Sequence, residues 1–131
     1  MSPKFQKMLA ERKLMRASIS KGMIEKEIEA ANSDLKDSKD SLRQGKVKWA
    51  TIPAYYSMFH SARALLYSKG YRERSHYALP VAIRELFGTE IGTDLINACE
   101  EGMELRQEAD YGLKFSEQGA GETLKGAVEV P

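Results

Sequence analysis

The chain has 131 residues, 42% of them hydrophobic and 30% charged, so we expect one domain with one hydrophobic core. The formal net charge of +1 gives no overall attraction to nucleic acid or membranes, and no apolar run is long enough to cross a bilayer. The lone Cys99 excludes an internal disulfide and supports no zinc site, and the N-terminus lacks an apolar signal segment, so we expect a cytoplasmic protein.

Charge is distributed unevenly along the chain. Lys and Arg outnumber Asp and Glu in residues 1–87, whereas the acids outnumber the bases in residues 88–131. Basic and acidic helices packed side by side would give this asymmetry, and so would a basic binding face. The first interpretation is the more common one, and the second stays open.

The N-terminal part is predicted to differ from the rest of the chain. Residues 1–18 are interpreted as a leader segment, in which a short charged helix over residues 3–15 docks on the remainder or frays. Residues 19–131 are interpreted as one helical bundle.

The first long helix of the bundle is predicted over residues 21–43. Ser18 and Ser20 are candidate N-caps, and Gly45 lies just past the end, where a left-handed C-cap favours glycine. The apolar stripe of this helix is predicted to comprise Ile24, Ile28, Ala31, Leu35 and Leu42.

The second long helix is predicted to begin at Thr51, whose side chain can cap it. Pro53 then falls in the first turn, where its missing N–H costs no hydrogen bond. The helix is predicted to run to about Lys69 and to stop at Gly70.

Three further helices are predicted. They cover residues 77–87, closed by Gly88, then residues 93–114, capped by Thr93, and finally a segment from Ser116. No strand-length run of alternating apolar and polar residues is present, so no strand is predicted. The sequence therefore predicts an all-α, up-and-down antiparallel bundle of about five helices with a short N-terminal leader helix.

One side of the second long helix is a candidate functional face. Tyr56, His60, Arg63 and Tyr67 fall on one line at spacings of i, i+4, i+7 and i+11. Two phenols, an imidazole and a guanidinium can bind phosphate, stack on bases or move a proton. The alternative is structural: the rings fill the bundle core, and Arg63 pairs with an acid of a neighbouring helix.

Two other segments carry polar groups in informative positions. Arg72, Arg74 and His76 surround a short connection that can hold a phosphate, although a solvated loop has the same composition. Arg106 and Asp110 interrupt the apolar stripe of the helix over residues 93–114. Their i, i+4 spacing suits an ion pair, so Arg106 either fixes helix register with Asp110 or faces a phosphate.

The run YYSMFHSARALLYSKGYRERSHYAL, followed about thirty residues later by LRQEADYGLKFSE, closely resembles the HEPN domain. Within that family the resemblance is to an archaeal and bacterial branch formerly grouped as of unknown function. It covers the chain from about Lys21 onward. It implies an up-and-down helical bundle, commonly homodimeric, whose members often act beside a minimal nucleotidyltransferase of the MNT type in toxin–antitoxin-like pairs.

The resemblance also implies a candidate site. HEPN ribonucleases carry an Arg followed four to six residues later by His, which cleave RNA without metal at the dimer interface. Arg106 matches the arginine, but the residue five positions on is Tyr111, which is a poor base near pH 7 because tyrosine titrates near 10. The implied roles are catalytic for Arg106, Tyr111 and His60, phosphate-binding for Arg106, Arg63, Tyr56 and His76, and structural for Asp110.

Two functions follow from the resemblance as expectations. The first is a homodimeric binding and regulatory protein that pairs with a nucleotidyltransferase, or holds nucleotide or RNA phosphate without cutting. The alternative is a metal-independent endoribonuclease with a degenerate motif. Neither requires a cofactor, a metal, a membrane or sequence-specific reading of DNA.

Overall fold

A computed structural model describes residues 1–107, with the backbone alone at residue 95 and over residues 103–107. Five helices and two short strands follow one another in this part of the chain. They are α1 (Pro3–Ala10), β1 (Leu14–Arg16), α2 (Lys21–Arg43), α3 (Val47–Ser68), β2 (Tyr71–Glu73), α4 (Ala78–Ile91) and α5 (Thr93–Gln107). The predicted all-α bundle with a short N-terminal helix is confirmed, with a small β-ribbon added to it.

The N-terminal segment is more structured than the sequence pattern indicates. Helix α1 ends at Ala10, and Arg12 adopts a left-handed conformation with φ of 57°. The chain then extends into β1, which pairs antiparallel with β2. The expectation of no strand was wrong because three residues per strand are too few for alternation to stand out. Phe5 anchors this segment, since its side chain is fully buried.

Helix α2 begins and ends where the sequence predicts. The Ser20 hydroxyl accepts a hydrogen bond from the Met23 amide at 3.2 Å, and Gly45 has φ of 73° just past the C-terminus. The predicted apolar stripe packs only in part, because its member Ala31 is buried while Ile28 is not. Ala31 and Ser38 are the buried positions of α2, whereas Ile28 is 46% exposed.

Helices α2 and α3 form a close antiparallel pair. The Ser38 hydroxyl donates to the Ala50 carbonyl at 2.7 Å, and the Ser57 hydroxyl donates to the Ala31 carbonyl at 2.8 Å. Small side chains allow this approach, and each buried hydroxyl is satisfied by a backbone carbonyl. Among the described elements, α2 makes extensive contact with α3 only, so none of the other described elements covers its opposite side.

Helix α3 starts four residues earlier than predicted. Thr51 is not its cap, because the helix begins at Val47 and the Thr51 hydroxyl donates to the Val47 carbonyl at 2.9 Å. Pro53 therefore lies inside the helix and cannot donate to the carbonyl of Trp49. Trp49 is 60% exposed, so water can reach the polar groups of this turn.

The last described helices also differ from the predicted bounds. Helix α4 continues through Gly88 and ends at Ile91, before Gly92 with φ of 91°. Helix α5 begins at Thr93. The predicted end of this helix near Lys114 and the predicted last helix from Ser116 lie outside the described residues.

The hydrophobic core lies between α3 and α4, with α1, the ribbon and α5 packed around it. The aromatic and large aliphatic side chains of the core include Phe5, Leu14, Tyr55, Phe59, Leu66, Tyr71, Leu79, Ile83, Phe87 and Ile96. None of the helices within the described ranges combines the length and apolar character that crossing a bilayer requires.

Candidate functional site

A group of ionisable side chains lies where α2, α3 and β2 meet, and we call it the polar cluster: Glu27, Asp34, His60, Arg63 and Glu73. The two α3 residues are three positions apart and so project on the same side of the helix. Glu27 and Asp34 are seven positions apart on α2, which places both carboxylates on the face that packs against α3. Glu73 comes from the end of β2.

Arg63 is held by two carboxylates. Its Nε lies 3.1 and 3.0 Å from the two carboxylate oxygens of Glu73, its Nη2 lies 2.7 Å from Oε2, and its Nη1 lies 3.3 Å from Glu27 Oε1. The guanidinium carbon is 4.3 Å from the centre of the Phe59 ring. Burial lowers the pKa of Arg63, but the hydrogen bond and charge of Glu73, with Glu27, outweigh burial and raise it.

His60 lies between the two carboxylates of α2. Its Nδ1 is 2.5 Å from Glu27 Oε2, and its Nε2 is 3.7 Å from Asp34 Oδ2. The imidazole is only 23% exposed. Burial raises the pKa of Asp34, His60 partly opposes this effect, and the charge of Asp37 adds to it. Both ring nitrogens of His60 therefore face carboxylates rather than open solvent.

The two tyrosines predicted for this face do lie beside the polar cluster. The Tyr56 ring centre is 6.5 Å from that of His60 and 5.2 Å from that of Tyr55. Tyr67 is 8% exposed; burial raises its pKa, Arg63 opposes the shift, and the charge of Glu73 reinforces it. The raised pKa keeps the Tyr67 phenol neutral at neutral pH, so it adds no charge to the cluster.

His76 is exposed, and its ring packs beside Phe59 of α3. The two ring centres are 4.6 Å apart, and the His76 backbone carbonyl accepts a hydrogen bond from the Leu79 amide at 3.2 Å. It thus marks the entry into α4. Arg72 and Arg74 lie on and next to β2 and are both exposed.

The residues that sequence reasoning missed are the acids of the polar cluster. Glu27 and Asp34 flank the small residue Ala31 on one line of α2, and that line, which shares Ala31 with the predicted apolar stripe, faces α3. Small residues interspersed with acids at i, i+4 and i+7 were the available signal. Glu73 carried no such signal, because its inward direction depends on a strand that was not predicted.

An apolar cavity adjoins the core on the far side of α3. Its lining includes Met58, Leu79, Ile83, Ile96 and Cys99. Burial raises the pKa of Cys99 to about 11, and Glu100 adds to the shift, so the thiol stays protonated at neutral pH. In the part of the chain that the structure describes, no three His, Cys, Asp or Glu side chains are arranged to hold a metal ion.

Comparison with known proteins identifies the fold. A family model described as the HEPN domain matches residues 24–130, which is most of the chain. The chain belongs to the HEPN domain family. It is 30% identical over 93 residues to a UPF0332 protein of Archaeoglobus fulgidus, covering 69% of this chain and 73% of that relative. It is 42% identical over 53 residues to a UPF0332 protein of Pyrococcus horikoshii, covering 40% of this chain and 37% of the relative.

The HEPN match includes the segment from Arg106 to Tyr111. Arg106 belongs to the last turn of α5, where the structure gives the backbone alone, and both Asp110 and Tyr111 lie outside the described residues. Helix α5 packs against α3 and α4. The predicted roles of these three residues therefore remain predictions. HEPN domains commonly dimerise and occur in toxin–antitoxin contexts.

Proposed function

We propose that this HEPN protein is a binding and regulatory module that does not cut RNA. It acts in the cytoplasm as a homodimer, pairs with a minimal nucleotidyltransferase of the MNT type in a toxin–antitoxin-like pair, and holds nucleotide or RNA phosphate at Arg106. The observation that carries the non-cleaving part is the state of His60, whose Nδ1 and Nε2 both face carboxylates of α2.

Metal-free RNA cleavage needs an acid or base that titrates near neutrality and a cation to stabilise charge on the phosphorus. His60 is the histidine of α3, and its nitrogens already face Glu27 and Asp34. Tyr111 stands where the motif requires a histidine, and an unperturbed tyrosine is a poor base at pH 7. The engagement of His60 by the α2 carboxylates and the tyrosine at position 111 both support binding without cleavage.

The polar cluster is also a poor phosphate site. It contains three carboxylates against one guanidinium and one imidazole, and the guanidinium is engaged by Glu73 and Glu27. A phosphate would have to displace one of these carboxylates and would be repelled by the others. We therefore assign phosphate binding to Arg106 rather than to Arg63 or Tyr56.

The side of the α2–α3 pair that no other described element covers supports the homodimer. Ile28 is 46% exposed and Trp49 is 60% exposed, so both large apolar side chains are available to a second copy of the chain. Light scattering at micromolar concentration is expected to give twice the monomer mass. The Ile28→Glu variant is expected to give the monomer mass, while Met15→Glu, at another exposed apolar residue, leaves the dimer intact. A wild-type monomer would refute the homodimer.

The partner assignment has its own test. The purified protein and a purified MNT-type nucleotidyltransferase from the same genome are mixed and passed over a size-exclusion column with light scattering. Co-elution at the summed mass supports the pairing, and separate elution at concentrations well above those in the cell counts against it. The homodimer result does not depend on this outcome.

A second candidate, the metal-independent ribonuclease, is favoured by one observation, which is that Arg106 is retained. RNA cleavage by the wild type that disappears in Arg106→Ala would establish this alternative. Cleavage that persists in Arg106→Ala would indicate a contaminating nuclease.

A further inference from the structure

The side chains of β1 and β2 alternate between an inner and an outer face of the β-ribbon. In the antiparallel register Leu14 is opposite Glu73 and Met15 is opposite Arg72. Residues opposite each other share a face, so Leu14 and Glu73 point inward, where both are buried, while Met15 and Arg72 point outward and are exposed.

The outward face extends one pair beyond the strands. The Arg74 amide donates to the Lys13 carbonyl at 2.8 Å, which continues the pairing. By alternation, Lys13 and Arg74 join Met15 and Arg72, and all four are exposed. We call these four residues the outer face of the ribbon. It carries three cations and no acid.

Glu73 would neutralise this face if the segment were an irregular loop, but it is turned away. Its side chain is 4% exposed and is bound by Arg63 from the inner side. Within residues 1–107, Arg72 and Arg74 make no ion pair, whereas Lys13 pairs with Glu11 at 3.2 Å. The positive charges of Arg72 and Arg74 are therefore exposed and are not neutralised by any acid of residues 1–107.

An open groove lies along the ribbon and is lined by residues of both of its faces. It has a volume of about 520 Å³ and is lined by Met15, Arg16, Ala17, Arg72, Glu73 and Arg74. Arg16 is a third arginine in the lining of the groove. Its guanidinium carbon lies 4.9 Å from the centre of the Tyr71 ring. Its charge adds to those of Arg72 and Arg74.

The exposure of the cations along this groove favours binding of an extended polyanion over binding of a small anion. A free phosphate binds tightly where buried donors enclose it, and the donors here are exposed. Exposed cations gain affinity when many phosphates of one chain are neutralised together and counterions are released. Proteins that bind single strands without sequence preference use positively charged grooves that follow the backbone, which is the arrangement found here.

We propose that the groove along the ribbon binds a single-stranded phosphodiester chain without reading its sequence. The arginines of this surface come from β1, β2 and the residue after β2, whereas Arg106 belongs to the last turn of α5. The inference does not require the nucleotidyltransferase, the homodimer or the absence of cleavage.

The test is the affinity of full-length protein for a fluorescein-labelled, 15-nucleotide single-stranded RNA of mixed sequence, measured by anisotropy. The Arg72→Ala, Arg74→Ala double variant is expected to bind at least about tenfold more weakly. The magnitude of its slope of log affinity against log salt is expected to fall by about 1.4, since each phosphate contact on a single strand contributes about 0.7. Lys36→Ala with Lys39→Ala, at exposed positions of α2, removes the same charge and is expected to bind like the wild type.

Several outcomes would overturn the proposal. Unchanged binding in the arginine variant, or an equal loss in the lysine control, would show that the groove makes no specific contribution. Equal affinity for a duplex or for polyglutamate would indicate a surface that binds any polyanion. A DNA strand of the same sequence distinguishes RNA from DNA as the ligand, and tighter binding of either supports the shared phosphodiester chemistry.

The Arg106→Ala variant separates this inference from the proposed function. If Arg106→Ala abolishes binding and the ribbon variant has no effect, the groove proposal fails while the assignment to Arg106 stands. If the ribbon variant weakens binding and Arg106→Ala does not, the groove proposal stands and the assignment to Arg106 fails.

Discussion

The polar cluster and the outer face of the ribbon both contain arginine side chains, but their surroundings differ. In the cluster, Arg63 is 22% exposed and is bound by Glu73 and Glu27. On the ribbon, Arg72 and Arg74 are exposed and have no ion pair in the described part of the chain. Glu73 sits between the two arginines in sequence but faces the other way. An arginine's role here is therefore set by backbone direction and by the nearest carboxylate, more than by its neighbours in sequence.

The largest loss of stability is expected when a residue of the polar cluster is substituted. Glu73→Gln removes the bidentate partner of Arg63 and leaves a half-buried guanidinium with Glu27 alone. We expect the free energy of unfolding to fall by about 2 kcal/mol, less than for a fully buried pair because Arg63 retains some solvent. Urea unfolding measures this.

The matched control for that variant is Glu11→Gln, which breaks the exposed ion pair with Lys13. Its expected effect is under about 0.5 kcal/mol. Equal effects of the two substitutions would mean that the polar cluster is no more stabilising than a surface pair.

His60 is expected to have an intermediate effect. His60→Gln loses the hydrogen bond to Glu27 and leaves two α2 carboxylates near each other, so unfolding should become easier by about 1 kcal/mol. A double-mutant cycle with Glu27→Gln should show coupling of similar size. Additive effects of the two substitutions would contradict the structural role of His60.

Substitution of Asp34 is expected to change stability by less, and to stabilise the protein rather than destabilise it. Its pKa is raised above the ordinary value of 3.8 by burial, so the charged form is disfavoured in the folded protein. The folded state binds the Asp34 proton more tightly than the unfolded state does. Ionisation of Asp34 therefore lowers the free energy of unfolding as pH rises from about 3.8 through the raised pKa. Asp34→Asn should therefore raise the melting temperature slightly at pH 7 and make no difference below about pH 3.8, where both states are protonated. A lower melting temperature at pH 7 would contradict this.

The ribbon arginines are expected to have the smallest effect on stability. Arg72→Ala with Arg74→Ala removes two exposed side chains without ion pairs, so the free energy of unfolding should change by less than about 0.5 kcal/mol. Thermal unfolding followed by circular dichroism checks this. A loss above 1 kcal/mol would place these arginines among the residues that hold the fold.

The sequence predicted much of the fold because its helix signals are local. The Ser20 cap and the glycines at 45 and 70, with positive φ, mark the ends of α2 and α3 through backbone chemistry that needs no tertiary contact. Thr51 and Pro53 led to a wrong prediction of where α3 begins, because their signal is also purely local. Their local preference indicated a helix start, but packing of Ala50 and Ala54 into the core extends α3 to Val47.

The candidate site was less accessible to sequence reasoning. The line from Tyr56 to Tyr67 could be found by helical spacing on one element. The partners of His60 and Arg63 could not, because Glu27 is 33 residues from His60 and is brought there by the pairing of α2 with α3. The direction of Glu73 depends on two three-residue strands that pair across more than 50 residues, which no local pattern reports.

The central claim is that this HEPN protein binds RNA without cutting it. The measurement that tests it most directly uses labelled single-stranded RNA, incubated in chelator at a protein concentration where anisotropy shows the RNA to be bound. The RNA is then resolved on a denaturing gel. The account predicts intact RNA for the wild type and for Arg106→Ala. Cleavage by the wild type that is lost in Arg106→Ala would contradict it.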